Sequence, residues 1–135
     1  MTNRDLKAIY KNGFDLIKHA QDSDCWIEVI CLQESFLIAR FSAWLGGGKA
    51  LLKLSAGKLV RRVAERHPEL VSSAFERQVL DWMAARAELV HRVFIADVLD
   101  ADLIARRYER AVTTATSGEA LIKCVRRIDN KRKRV

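Results

Sequence analysis

Proline and glycine are scarce in this chain. It has one proline and six glycines in 135 residues, and three of the glycines form a single GGG. So few turn-formers argue against a fold of many short strands and favour helices joined by short loops. Long uncharged runs are also missing. None approaches the ~18 apolar residues that a membrane span requires. The opening MTNRDLKAIYKNGF lacks a continuous apolar stretch, so no signal peptide is expected. Cysteine is limited to Cys25, Cys31 and Cys124. An odd count, with the first two six positions apart, fits neither a disulfide framework nor a metal-ligand set. Buried, reduced thiols in a cytoplasmic protein are the expectation, and the sequence calls for no metal and no other cofactor.

What the chain does have is apolar residues and positive charge. Half the residues are hydrophobic, enough for the core of one domain, and the 30% that are charged are mixed in sign, unlike a disordered segment. The net charge of +7 is unevenly spread. From Lys123 onward there are seven basic residues and one acid, so the preceding 122 residues are nearly neutral. The division expected is a helical bundle over residues 1–122 and a basic C-terminal tail over 123–135, comprising the end of the last helix and a frayed terminus. Such a tail can hold phosphates through counterion release without reading sequence. Lys131, Arg132, Lys133 and Arg134 are therefore assigned to substrate binding.

Helical periodicity runs through most of the chain. Thr2 with Asp5 has the capping-box pattern, and Leu6, Ile9, Tyr10, Phe14 and Ile17 follow at three- and four-residue steps. Ser23 or Asp24 is the expected N-cap of a second helix, CWIEVICLQESFLIARFSAWL. Its wide apolar arc predicts a central place in a bundle, and Gly46-Gly47-Gly48 predicts its end. A third helix is expected from a Ser55 cap to Pro68, with Leu59, Val60 and Val63 inward and Lys58, Arg61, Arg62 and Arg66 in water. The fourth starts at Ser72 or Ser73 and carries Phe75, Val79, Leu80, Met83, Leu89 and Val93 as core residues. Asp97 or Asp100 would cap a fifth, with Leu103, Ile104 and Tyr108 as contacts. Thr116 with Glu119 suggests a further capping box before ALIKCVRRI. Trp26, Trp44 and Trp82 fall at core positions. The fold class is all-α, an up-and-down bundle of four to five helices with a basic C-terminal tail.

Within the fourth segment, Arg86 and His91 stand five residues apart. At about 100° per residue they lie about 140° apart around the axis, so they do not stack as an i,i+4 pair would. They could share one groove if the arginine stem folds around, if the helix breaks between them, or if a two-fold axis brings two copies of the helix together. Their chemistry is complementary. Histidine exchanges a proton near neutral pH, and arginine forks onto phosphate oxygens while keeping its charge. Together they suit RNA cleavage by its own 2′-hydroxyl, with His91 managing the proton and Arg86 steadying the phosphoryl charge. The plain alternative is a surface arginine and a histidine at a helix seam. Glu34, inside the apolar LQESFL, either orients one of this pair or faces a seam or solvent and pairs with a base.

The order of these features resembles the HEPN superfamily, small helical domains defined by an R-x4-6-H motif late in the bundle. The resemblance spans roughly residues 23–94. It consists of the long aromatic-rich helix, the SAGKLV segment at Ser55 to Val60, and LDWMAARAELVHRVF at Leu80 to Phe94. It implies that Arg86 and His91 are the motif residues of a metal-independent endoribonuclease; Arg92, beside His91 but pointing elsewhere on the helix, is separately assigned to contact with RNA phosphate. It also implies a homodimer, a toxin–antitoxin or anti-phage defence setting, and an antitoxin protein as a partner. Ala87 stands where the family usually has a polar residue, and Val93 where a subgroup has tyrosine. Both departures point to the alternative of an inactive module that binds RNA or a protein partner.

Overall fold

The computed structural model describes the backbone of residues 2–91 and 101–133 and the side chains of residues 2–90 and 105–132. Among them the chain forms five α-helices and no strand: α1 (Asn3–Asp22), α2 (Trp26–Trp44), α3 (Ala56–Arg66), α4 (Ser73–His91) and α5 (Ala101–Lys133), with a short 3-10 turn at Leu51–Lys53. The all-α bundle expected from the sequence is the observed architecture.

Local chemistry sets the helix ends. Thr2 and Asp5 complete a reciprocal capping box, with Asp5 N–H donating to Thr2 Oγ1 at 3.2 Å and Thr2 N–H donating to Asp5 Oδ2 at 3.0 Å. The Thr2 backbone N–H, and after it the Thr2 hydroxyl, favour the charged carboxylate and hold the Asp5 pKa below its usual value. Ser55 and Ser72 accept from Lys58 N–H and Phe75 N–H respectively, which places the starts of α3 and α4. The GGG ends α2 in a Schellman arrangement. Gly47 N–H reaches Ser42 O, Gly46 N–H reaches Ala43 O, and all three glycines have positive φ.

The expected Ser23 or Asp24 cap on α2 is not what forms. Asp24 takes φ 56°, while Cys25 N–H bonds Ala20 O and Asp24 N–H bonds Gln21 O. Asp24 is therefore the left-handed residue that closes α1, a conformation aspartate tolerates. Cys25 precedes α2 and makes no side-chain cap bond. The thiols also depart from expectation. All three are free, but Cys25 and Cys31 are exposed, one in the α1–α2 turn and the other on a part of α2 that its neighbours leave uncovered.

α2 is the hub. It packs most extensively on α5 and also touches α1, α3 and α4, while α3 packs on α4 and α4 on α5. Val29, Ile30, Leu37, Phe41 and Trp44 of α2 are buried against Leu59, Val60 and Val63 of α3, Phe75, Val79 and Trp82 of α4, and Ala115, Leu121 and Val125 of α5. Burying such side chains is worth about 1.5–3 kcal/mol each before chain entropy is counted.

The capping box expected at Thr116–Glu119 is absent because α5 runs unbroken for 33 residues, roughly 50 Å. Thr116 lies mid-helix and its hydroxyl bonds back to Val112 O at 2.9 Å. The basic segment after Lys123 begins as part of this packed helix, with Val125 fully buried. Asp97 and Asp100, the expected caps, lie outside the described residues, as do Val93 and the side chains of Leu103 and Ile104.

Gly118 explains how α5 approaches α2 and α4 so closely. A helical Cβ leans toward the N-terminus, over the carbonyls three and four residues back. At Gly118 those carbonyls receive two side chains: Gln33 Nε2 donates to Ala115 O at 2.8 Å, and Trp82 Nε1 donates to Thr114 O at 2.9 Å. A Cβ there would meet Gln33 Cδ at 2.6 Å and Trp82 Nε1 at 3.0 Å. Gly118→Ala should therefore destabilise the protein by about 2 kcal/mol, because the lost buried hydrogen bonds outweigh the gain of about 1 kcal/mol in helix propensity. Gly13→Ala in α1, where a Cβ meets nothing within 4 Å, should stabilise it by about 0.5–1 kcal/mol. Urea midpoints of the two variants moving in the same direction would contradict this.

Candidate functional site

Arg86 projects from α4 toward α2, where its Nε lies 2.8 Å from Glu34 Oε2. The side chains are 19% and 14% exposed, so both charges are largely withdrawn from water. The contact is ionic rather than a well-directed hydrogen bond, since neither Nε nor Oε2 gains an aligned partner among the described residues. An arginine in an otherwise apolar helical stretch is thus held by an acid in another. Glu34 meets Arg86 across the α2–α4 seam, a contact that fits both readings of this residue, since the base it pairs with belongs to the Arg86–His91 pair.

α4 continues without a break through His91. Helix breakage between Arg86 and His91 is therefore excluded, and the two positions remain about 140° apart around one axis. The His91 side chain, Arg92, the Lys133 side chain and Arg134 lie outside the described residues. Lys131 and Arg132 are exposed near the end of α5, and the Arg132 guanidinium sits 6.0 Å from the centre of the Trp44 ring. His67, paired with Glu69 at 3.3 Å after α3, belongs to another part of the chain.

A second polar centre was not evident from the sequence. Arg40 of α2 grips Asp129 of α5 with both ends of its fork, Nε to Oδ2 at 2.8 Å and Nη2 to Oδ1 at 2.9 Å. Its Nη1 donates to the Tyr10 hydroxyl of α1 at 2.9 Å. Trp44 Nε1 also donates to Asp129 Oδ1, at 2.8 Å. Burial opposes the arginine charge, but the hydrogen bonds and charge of Asp129, with the Tyr10 hydroxyl, outweigh it and raise the Arg40 pKa above its usual value. Two signals were present: a lone acid within a basic run, and a charged residue between the apolar turns LIA and FSAW. Neither identifies its partner, because the pair is 89 residues apart.

No family model matches the chain, no curated protein matches it in sequence, and no solved structure matches it.

The Arg86–Glu34 contact makes a thermodynamic prediction. Glu34→Gln leaves a mostly buried guanidinium without its counter-charge and should cost about 2–3 kcal/mol, below the cost for full burial because both groups keep some solvent. Adding Arg86→Met should recover at least half of that loss. A double-mutant cycle with no coupling would show that the contact does not hold α4 to α2.

Proposed function

We propose that this chain is a HEPN-type helical domain acting as a metal-independent endoribonuclease in a toxin–antitoxin or anti-phage defence setting. Arg86 and His91 are its catalytic pair. His91 takes the proton from a ribose 2′-hydroxyl, whose oxygen attacks the adjacent phosphorus. Arg86 steadies the charge on the phosphoryl oxygens, and the 5′-oxygen of the next nucleotide leaves on gaining a proton. The products carry a 2′,3′-cyclic phosphate and a 5′-hydroxyl.

The observation that carries this reading is the Glu34–Arg86 contact. It holds the Nε edge of the Arg86 guanidinium from the bundle's central helix, near the end of α4 where His91 follows. Fixing a phosphate-binding group in advance is how a small site gains transition-state stabilisation. Because Arg86 and His91 are turned apart on one continuous helix, the reading requires a homodimer in which one copy's arginine meets the other's histidine across a two-fold axis. Arg92 and the basic end of α5, Lys131 to Arg134, hold substrate. The protein works in the cytoplasm, with an antitoxin protein as its regulator.

A second reading has an observation in its favour. Arg86 is already neutralised by Glu34, and Ala87 replaces the polar residue usual in the family. Both suit a non-catalytic helical module that binds RNA or a protein partner.

The two readings separate in one assay. Mixed RNA incubated with the protein in EDTA should be cut to fragments ending in 2′,3′-cyclic phosphate, and His91→Ala and Arg86→Ala should each lower the rate at least about a hundredfold. Intact RNA, or cutting that persists in both variants, would overturn the nuclease reading. Among the described residues, no helix is long and apolar enough to cross a membrane.

A further inference from the structure

On the opposite flank of α2 from Arg86, a half-open groove of about 840 Å³ runs between α1 and the α2–α5 pair. Its lining extends along α1 from Asn3 to Asp15, about 18 Å of helix, so the groove is elongated. The floor is aromatic. Tyr10 and Phe14 of α1 both pack on Phe36 of α2, with ring centres 5.8 and 5.2 Å apart, and all three rings are only half-buried. The rim is basic, formed by Lys7 and Lys11 on one side and Arg126 on the other, all exposed. Two acids share the lining and both are already matched: Asp129 by Arg40, and Asp15 by Lys11 at 2.9 Å. The excess positive charge therefore lies at Lys7 and Arg126, and Lys11, whose exposed pairing with Asp15 is weak, can turn to a phosphate as well.

We propose that this groove binds single-stranded RNA, with a base stacked on the Tyr10–Phe14 surface and the flanking phosphates held by Lys7, Lys11 and Arg126. The inference rests on the RNA-directed reading above and gives it a binding surface apart from Arg86. A basic channel around half-buried rings matches single-strand recognition, since every base offers a π-face and every linkage a phosphate. A duplex keeps its bases stacked and out of reach of a recessed aromatic floor. Arg126 is already poised: its guanidinium lies 5.2 Å from the centre of the Phe14 ring. An arginine held this way keeps N–H groups for phosphate, and its plane can continue a base stack. Arg127, Lys131 and Arg132 are exposed on α5 as well, but about 100–240° around its axis from Arg126, so they add positive charge near the groove rather than to its wall.

The test is fluorescence anisotropy with a labelled single-stranded RNA of mixed sequence, using full-length protein carrying His91→Ala so that the probe stays intact. Lys7→Glu with Lys11→Glu should weaken binding at least about tenfold and flatten the slope of log affinity against log salt by roughly 0.7 per lost phosphate contact. Both lysines are exposed, so folding is not at stake. Phe14→Leu should weaken binding about tenfold and leave the salt slope unchanged. Arg61→Glu with Arg62→Glu on α3 removes the same charge elsewhere and should leave affinity within about twofold.

Parental affinity in both groove variants, or an equal loss in the α3 variant, would overturn the proposal. So would tighter binding to the matching duplex, or binding only to vesicles of equal parts phosphatidylcholine and phosphatidylserine. The nuclease reading fails separately. Cleavage that depends on His91 and is untouched by the groove substitutions sinks the groove alone, whereas groove-dependent binding without cleavage sinks the nuclease alone.

Discussion

The packing of α2 against all four other helices is the constraint from which the rest of this structure follows. The positions of α2 that face those helices have little access to water, so the polar residues placed there must find partners on a neighbouring helix, while Glu28, Cys31 and Ser35 stay exposed. Gln33 finds the backbone of α5, Glu34 finds Arg86 of α4, and Arg40 finds Asp129 of α5 and Tyr10 of α1. Apolar packing alone would tolerate small slides of one helix past another. These contacts do not, because a shift of one turn would strand a charge or an amide in the core. The polar residues of α2 thus set the register of α1, α4 and α5 around an apolar centre.

The same constraint shapes the candidate chemistry. Arg86 is withdrawn from solvent and turned toward an acid by the helix it packs against, so its position is fixed by the fold. On the other flank, pairing of Arg40 with Asp129 neutralises the floor of the α1 groove and leaves the rim cations to define its charge. The two surfaces are thus linked through one helix. Glu34 and Arg40 are six residues apart on α2, about 240° around its axis, and so serve different neighbours.

Much of the fold was legible in the sequence because helix signals are local. The Thr2–Asp5 box, the Ser55 cap, the GGG stop and the apolar periodicity of α2 and α3 each involve residues within a turn or two of one another. The failures share one cause. Thr116 and Glu119 look like a helix start, but a threonine can instead bond to its own helix, and Gly118 is explained by what passes over it rather than by a turn. Asp24 looks like a cap for α2 until it is seen closing α1. Arg40 and Asp129 were legible only as oddities, since nothing local specifies which acid meets which base. Arg86 was singled out by its spacing from His91, whereas its observed partner lies 52 residues earlier in the chain.

The central claim is that the guanidinium groups in the seams of α2, Arg40 on the helix itself and Arg86 across from it, are locked by partners, and arginine side-chain NMR measures this directly. The Nε–H resonances of Arg40 and Arg86 should persist at neutral pH with slow solvent exchange and restricted motion, while those of exposed arginines such as Arg61 and Arg62 broaden or exchange away. An Arg86 Nε–H that exchanges as fast as those of α3 would contradict the account, since it would place that side chain in water rather than against Glu34.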